Sequence, residues 1–160
     1  MARALIVGCG CRGLELASAL RGDGWLVRGT TRDRDRLAAI EAAEVEAALA
    51  DPDRLGTILD EIADITAVFW LLGSAIGDDE AVRALHSERL ESLLARIVDT
   101  PVRSFVYEAS GSVDAAVLRR GADIVREAGE RWRIPAAIVD EPPSDVERWA
   151  SAMLAASGYD

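Results

Sequence analysis

Lysine occurs nowhere in the 160 residues, so arginine supplies all eighteen basic side chains. That absence excludes Schiff-base chemistry, a phosphate-gripping lysine of the P-loop kind and any catalytic set that needs an ammonium group. Histidine appears once, as His86, and cysteine twice, as Cys9 and Cys11. Two thiols one residue apart, with the histidine far away in sequence, fall short of a four-ligand zinc site. No apolar run reaches the roughly 18 residues of a membrane span, and the opening ALIVGCGC is too short for a signal-peptide core. Together these absences point to a cytoplasmic protein with no metal and no membrane partner.

Half of the residues are hydrophobic, which excludes a disordered chain. The length suits one domain over 1–160 that buries its own core without disulfides, and no repeat or linker divides it. The formal charge of −10 argues against a nucleic-acid partner, whose phosphates most of this surface would repel. Its distribution is uneven: residues 1–36 hold seven arginines against four acids, and residues 37–160 hold eleven against twenty-four. Positive charge therefore gathers at the amino-terminal end.

Short apolar runs alternate with helical patterns. Strands are expected at 4–8, 25–30, 44–49, 67–72, 104–109 and 135–140; several are apolar without alternation, as in parallel strands covered on both faces. Helices are expected near 11–21, 33–42, 52–62, 79–98, 112–130 and 145–157. Asp51 and Pro52 suit the start of the third and Ser144 the start of the last. Six strands alternating with helices predict a doubly wound, six-stranded parallel sheet of the Rossmann type, with helices on both faces in a three-layer sandwich.

Between the first strand and first helix lies GCGCRG, with glycines at 8, 10 and 13. A strand before GxGxxG and a helix after it is the context in which the motif binds a dinucleotide. Gly8 then permits the tight turn, Gly10 lets a pyrophosphate approach the backbone, and Gly13 lets helix and strand pack closely. The helix start adds N–H donors and partial positive charge, with Cys11 and Arg12 in its first turn. The alternative is a glycine-rich turn that holds no ligand. Cys9 and Cys11 read as reduced, polarizable fillers of the loop, with a redox or metal role as the competing possibility.

The end of the second strand selects the cofactor. An acid there favours NAD by binding a ribose 2′-hydroxyl; this chain has Thr30, Thr31 and Arg32, with Arg34 and Arg36 close behind. A guanidinium grips a 2′-phosphate with paired hydrogen bonds, and Arg12 is placed to approach the same group. NADP(H) is thus expected over NAD(H). The competing reading is a solvated helix start, with Asp33 and Asp35 offsetting the arginines.

The stretches IVGCGCRGLELASAL, RGTTR, LADPDRL, AVFWLLGSAIG and FVYEASGSVD resemble the short-chain dehydrogenase/reductase superfamily, in particular its extended and atypical members related to nucleotide-sugar epimerases. The resemblance runs over most of residues 1–143. It implies cofactor contacts at Gly8, Gly10, Gly13, Arg12, Thr31, Arg32, Gly73, Ser74 and Ala75, and a catalytic serine at Ser110. It also implies a dimer formed through the helices at 79–98 and 112–130. Two departures stand out: an acid that often holds the adenine is replaced near Ala48, and residues 111–130 contain neither the family's catalytic tyrosine nor its lysine.

Glu108 shares strand parity with Ser110, so both are expected on one face at the sheet's carboxyl edge. A carboxylate in an apolar strand is either a general acid of raised pKa or the partner of an arginine such as Arg103 or Arg12. Tyr107, on the opposite face, reads as packing. His86 falls on the stripe of Val82, Leu90, Leu93 and Ile97 and reads as packed or interfacial. Trp25, Trp70, Trp132 and Trp149 have no common spacing and read as core or rim.

The resulting expectation is an NADP(H)-binding module, a cofactor-dependent sensor or partner subunit, possessing no standard short-chain dehydrogenase catalysis. The alternatives are an NADPH-dependent reductase using Ser110 on a reactive quinone, flavin or carbonyl, and a structural relic that binds nothing within an assembly.

Overall fold

A computed structural model describes residues 2–158. Six strands, β1 (Arg3–Val7), β2 (Leu26–Thr31), β3 (Glu46–Leu49), β4 (Ala67–Trp70), β5 (Ser104–Glu108) and β6 (Ala136–Val139), form one sheet in the order β3-β2-β1-β4-β5-β6. Every neighbouring pair is parallel; Ile6 stands beside Gly29 and Phe69, and Trp70 beside Tyr107. The order reverses between β1 and β4, and there a doubly wound sheet opens a crevice at its carboxyl edge.

Seven helices cover the sheet: α1 (Cys11–Gly22), α2 (Leu37–Ala42), α3 (Leu55–Leu59), α4 (Asp79–Leu85), α5 (Glu88–Ile97), α6 (Ala115–Trp132) and α7 (Val146–Ala156). Leu5, Val7, Val68, Trp70, Phe105 and Tyr107 point to one face, where they meet Ile58 of α3, Leu90, Leu93, Leu94 and Ile97 of α5, and Ile124 and Val125 of α6. Ala4, Ile6, Phe69 and Val106 point to the other, against Leu16 and Leu20 of α1, Ile40 of α2, and Trp149 and Met153 of α7. This is the three-layer sandwich expected, and it explains why the central strands β1, β4 and β5 lack polar alternation: both of their faces are buried. Each large aliphatic or aromatic side chain so buried contributes about 1.5–3 kcal/mol. Among the described residues no helix is long and apolar enough to cross a membrane.

Several helix boundaries differ from expectation. Asp51 does not cap a helix at Pro52; its carboxylate accepts the Asp53 amide at 2.9 Å in a local turn, and α3 starts at Leu55. The segment 79–98 is two helices, interrupted at His86 and Ser87, because the His86 side chain is drawn inward to polar partners beneath the sheet edge. Helix α6 starts at Ala115, where the Asp114 side chain accepts the Ala116 amide, and Asp145 rather than Ser144 caps α7 by accepting from the Arg148 amide.

The apolar stripes of α5 and α6 face the sheet, whereas Arg89, Glu91, Arg119, Arg120 and Asp123 are exposed. A dimer through these helices would therefore meet through charged side chains.

Candidate functional site

The turn after β1 uses its three glycines for three different reasons. Gly8 has φ +85°, and a Cβ there would lie 2.6 Å from the Leu71 carbonyl oxygen and 2.8 Å from the Leu72 side chain. At Gly13 an added Cβ would crowd the Cys9 sulfur at 3.2 Å. Gly10 is different: an added Cβ would meet nothing within 4 Å, because the position faces an open cavity. Gly10 is also the residue that precedes α1, so it brings no side-chain cap, and the first turn of α1 contains no acid. The amides of a first helical turn lack intrahelical partners, so this turn offers donors and partial positive charge to the cavity.

The loop is held from behind by Thr30, whose carbonyl accepts the Cys9 amide at 2.9 Å and whose hydroxyl accepts the Gly8 amide at 3.3 Å. Cys9 is buried, its sulfur between Gly13 and Gly29; a Cβ on Gly29 would come within 2.6 Å of it. Burial pushes its thiol up to about 12, with Arg36 opposing, so it is protonated at neutral pH. Cys11 is exposed and lines the cavity. Among the described residues no group of three or more histidines, cysteines or acids is placed to hold a metal.

The cavity encloses about 530 Å³ between the glycine turn, the end of β2 and the loop after β4. Thr30, Thr31, Arg32 and Arg36 line one side, and Ser74, Ala75 and Ile76 another. Arg32 is half exposed; its Nη2 donates to the Ile76 carbonyl at 3.0 Å, bridging the cavity's two rims, and its Nη1 lies 3.9 Å from Asp53. Asp33, the nearest acid after β2, has its side chain engaged with the Asp35 amide at 2.9 Å. Gly73 lies just behind this wall: its amide donates to Glu108, and a Cβ there would strike the Ser110 carbonyl.

Arg12 does not approach the end of β2. It reaches the other way, with Nη1 3.3 Å from Glu108 Oε2 and its guanidinium carbon 5.6 Å from the centre of the Trp149 ring. Glu108 ends β5, three strands from β2 and about 14 Å away at ordinary strand spacing. Arg12 Nη1 is buried and forms no hydrogen bond, and it is ion-paired with Glu108.

Glu108 is fully buried. Its Oε1 accepts the Gly73 amide at 2.9 Å and its Oε2 accepts the Trp149 indole N–H at 3.0 Å. Burial raises its pKa; Arg12, the Gly73 amide and the indole pull it down. Of the two arginines considered for it, the partner is Arg12.

Ser110 does not face this cavity. Its hydroxyl donates to the Glu141 carbonyl at 2.7 Å, and it lines a separate cavity beside α6 and β6. The shared parity with Glu108 lapses because β5 ends at Glu108, and the chain turns at Gly111 with φ +141°.

Tyr107 and His86 form a buried polar pair on the opposite face, Nδ1 to hydroxyl 2.7 Å, while the other imidazole nitrogen lies 2.9 Å from the Leu72 carbonyl. The carbonyl must receive a proton, so Nε2 donates to it and Nδ1 accepts from Tyr107. Burial lowers the His86 pKa, in keeping with a neutral ring. The pair anchors the start of the loop that forms the cavity's far wall.

Trp149 was legible only as core or rim, yet it both lines the cavity and holds Glu108. Ala50, Pro52, Ile76 and Leu85 also line the cavity without any signal in the sequence.

No protein-family model matches the chain, and no curated protein matches its sequence. Solved structures do match. A short-chain dehydrogenase/reductase superfamily protein from Agrobacterium tumefaciens with bound NAD superposes with a TM-score of 0.70 at 20% identity, over 85% of this chain and 48% of that one. The UDP-glucuronic acid 4-epimerase of Bacillus cereus in complex with NAD gives 0.66 at 17% identity, over 85% and 55%. Vestitone reductase from alfalfa gives 0.64 at 19% identity, over 86% and 56%. The chain spans about half the length of each of these structures. Sheet order, glycine turn and superposition agree: the chain carries the Rossmann fold seen in the short-chain dehydrogenase/reductase superfamily.

Proposed function

We propose that this protein binds NADP(H) and acts as a cofactor-dependent sensor or partner subunit. The observation that carries the reading is Gly10, which opens onto a cavity at a helix start with no cap and no acid, with Arg32 and Arg36 on the same cavity wall. Phosphates suit such a helix start. A guanidinium in place of an acid after β2 suits a 2′-phosphate, which is why NADP(H) is preferred here although similar structures carry NAD.

Hydride-transfer catalysis is not part of the reading. Residues 111–130 lack tyrosine and lysine, and the Ser110 hydroxyl is bonded to Glu141 outside the cavity. The reductase alternative would therefore have to work without Ser110 and without the family's tyrosine and lysine.

Calorimetry with NADP and NAD tests the proposal. Arg32→Ala is expected to weaken NADP about tenfold to a hundredfold, as for a lost charge-assisted hydrogen bond, and to change NAD little. Equal loss for both would remove the preference, and no heat with either would remove the function.

A further inference from the structure

Directly beside the glycine turn, the carboxyl ends of β4 and β5 are covered, and this limits what the cavity can hold. The loops after β4 and β5 are laced together: the Val113 amide donates to the Gly73 carbonyl at 2.9 Å and the Ser112 amide to the Ser74 hydroxyl at 3.1 Å. Gly73 and Gly111 touch backbone to backbone, so closely that a Cβ on either would strike the other loop. In front of these loops stands Trp149, fully buried, its N–H on Glu108 and its ring beneath the Arg12 guanidinium. The indole thus lies between the first turn of α1 and the end of β5.

A dinucleotide in a doubly wound sheet lies across both halves, one nucleoside on each, with its pyrophosphate at the start of the first helix. The path from that helix start to the second half is the one Trp149 and Arg12 occupy. Beyond Arg12 the surface is a shallow, open groove with Ser74, Gly111, Ser112, Pro143 and Ser144, which leaves a ring exposed to solvent rather than enclosed.

We infer that the cavity engages a single nucleoside, a phosphorylated adenosine carrying a 2′-phosphate, and leaves the pyridine half of a dinucleotide in solvent, because the Trp149, Glu108 and Arg12 cluster fills the second nucleoside's place. The inference rests on the function proposed above and narrows it to a ligand class: adenosine 2′-phosphates with a 5′-phosphate or longer 5′ chain. A site of this kind reads the phosphorylation of the ribose and is blind to the oxidation state of the pyridine.

Calorimetry on the unaltered protein with adenosine 2′,5′-bisphosphate, NADP⁺, NADPH and nicotinamide mononucleotide separates the possibilities. The first three are expected to bind within about threefold of one another and the mononucleotide not at all, since the pyridine adds no contacts. The emission maximum of NADPH stays that of the free molecule. A dinucleotide that binds more than about thirtyfold tighter than the bisphosphate, or a blue shift of the reduced pyridine, overturns this inference and leaves NADP(H) binding standing. Silence from all four overturns both.

Discussion

The two halves of the sheet are built alike, three parallel strands each, yet their carboxyl edges differ. The β1–β2–β3 edge is open: Gly10 faces space, and Arg32 and Arg36 line the cavity. At the β4–β5–β6 edge the space next to the turn is taken by laced loops, a buried carboxylate and an indole delivered by α7, and a separate cavity lies farther out beside α6 and β6. Topology sets where a crevice can form; the side chains at the helix starts and strand ends decide whether it stays empty. A pair of glycines illustrates this. Gly10 keeps a space open, whereas Gly73 lets two loops touch and so fills one.

The contrast can be broken most severely from the closed side. Trp149→Ala removes a fully buried indole and leaves the Glu108 carboxylate short of a donor, so a loss of about 3–5 kcal/mol is expected in urea unfolding. A loss below 1 kcal/mol would show that this edge does not need the indole.

On the open side, Gly8 and Gly10 should respond in opposite ways. Gly8→Ala forces a Cβ against the Leu71 carbonyl at positive φ and is expected to destabilise by about 2–4 kcal/mol. Gly10→Ala changes stability by less than about 1 kcal/mol, the usual range for this helix position, but lowers nucleotide affinity by at least tenfold because its methyl enters the cradle. Full nucleotide binding by Gly10→Ala would contradict the assignment of the open edge.

Smaller still is a pH effect. A carboxyl whose pKa is raised in the folded protein is bound to its proton more tightly there than in the unfolded chain. Its contribution to stability is greatest when protonated and is lost as pH rises from about 4.5 through the raised value, by at most about 1.4 kcal/mol per pH unit. Glu108→Gln abolishes that decline. The wild-type minus variant difference, from urea titrations between about pH 4 and pH 8, is expected to fall with pH and then level off; a flat difference refutes the raised value.

The mildest test is chemical. Alkylation of the native protein should modify Cys11 and spare Cys9, which is buried and protonated, and nucleotide should slow the reaction because Cys11 lines the cavity. Fragmentation of the tryptic peptide 4–12, which holds both thiols, reads the outcome; equal labelling of both would contradict the burial of Cys9.

The centre of the sheet was legible because β1 and β4 are short apolar runs, a direct consequence of burial on both faces. Helix starts were less so. Asp51 and Pro52 carry the chemistry of a cap, but the Asp51 side chain closes a turn on Asp53 instead, a choice between two local hydrogen bonds that sequence does not distinguish. The interruption at His86 depends on Leu72 and Tyr107, partners brought near only by the folded sheet. Within the site, the glycine turn and Arg32 could be read because their residue types are demanded by backbone geometry and charge. Trp149 could not: its contact with Glu108 spans 41 residues and leaves no periodic trace. Ser110 was misplaced because strand alternation was extended two residues past the end of β5.

Cys9 sets a dimension of the molecule. Its sulfur is wedged where α1 passes β2, against two positions that carry no side chain, so one atom's diameter fixes how far the helix stands off the strand. The amides at the start of α1 and the guanidinium of Arg32 belong to those two elements. The thiol thus acts as a shim: one buried sulfur sets the gauge between the start of α1 and the end of β2.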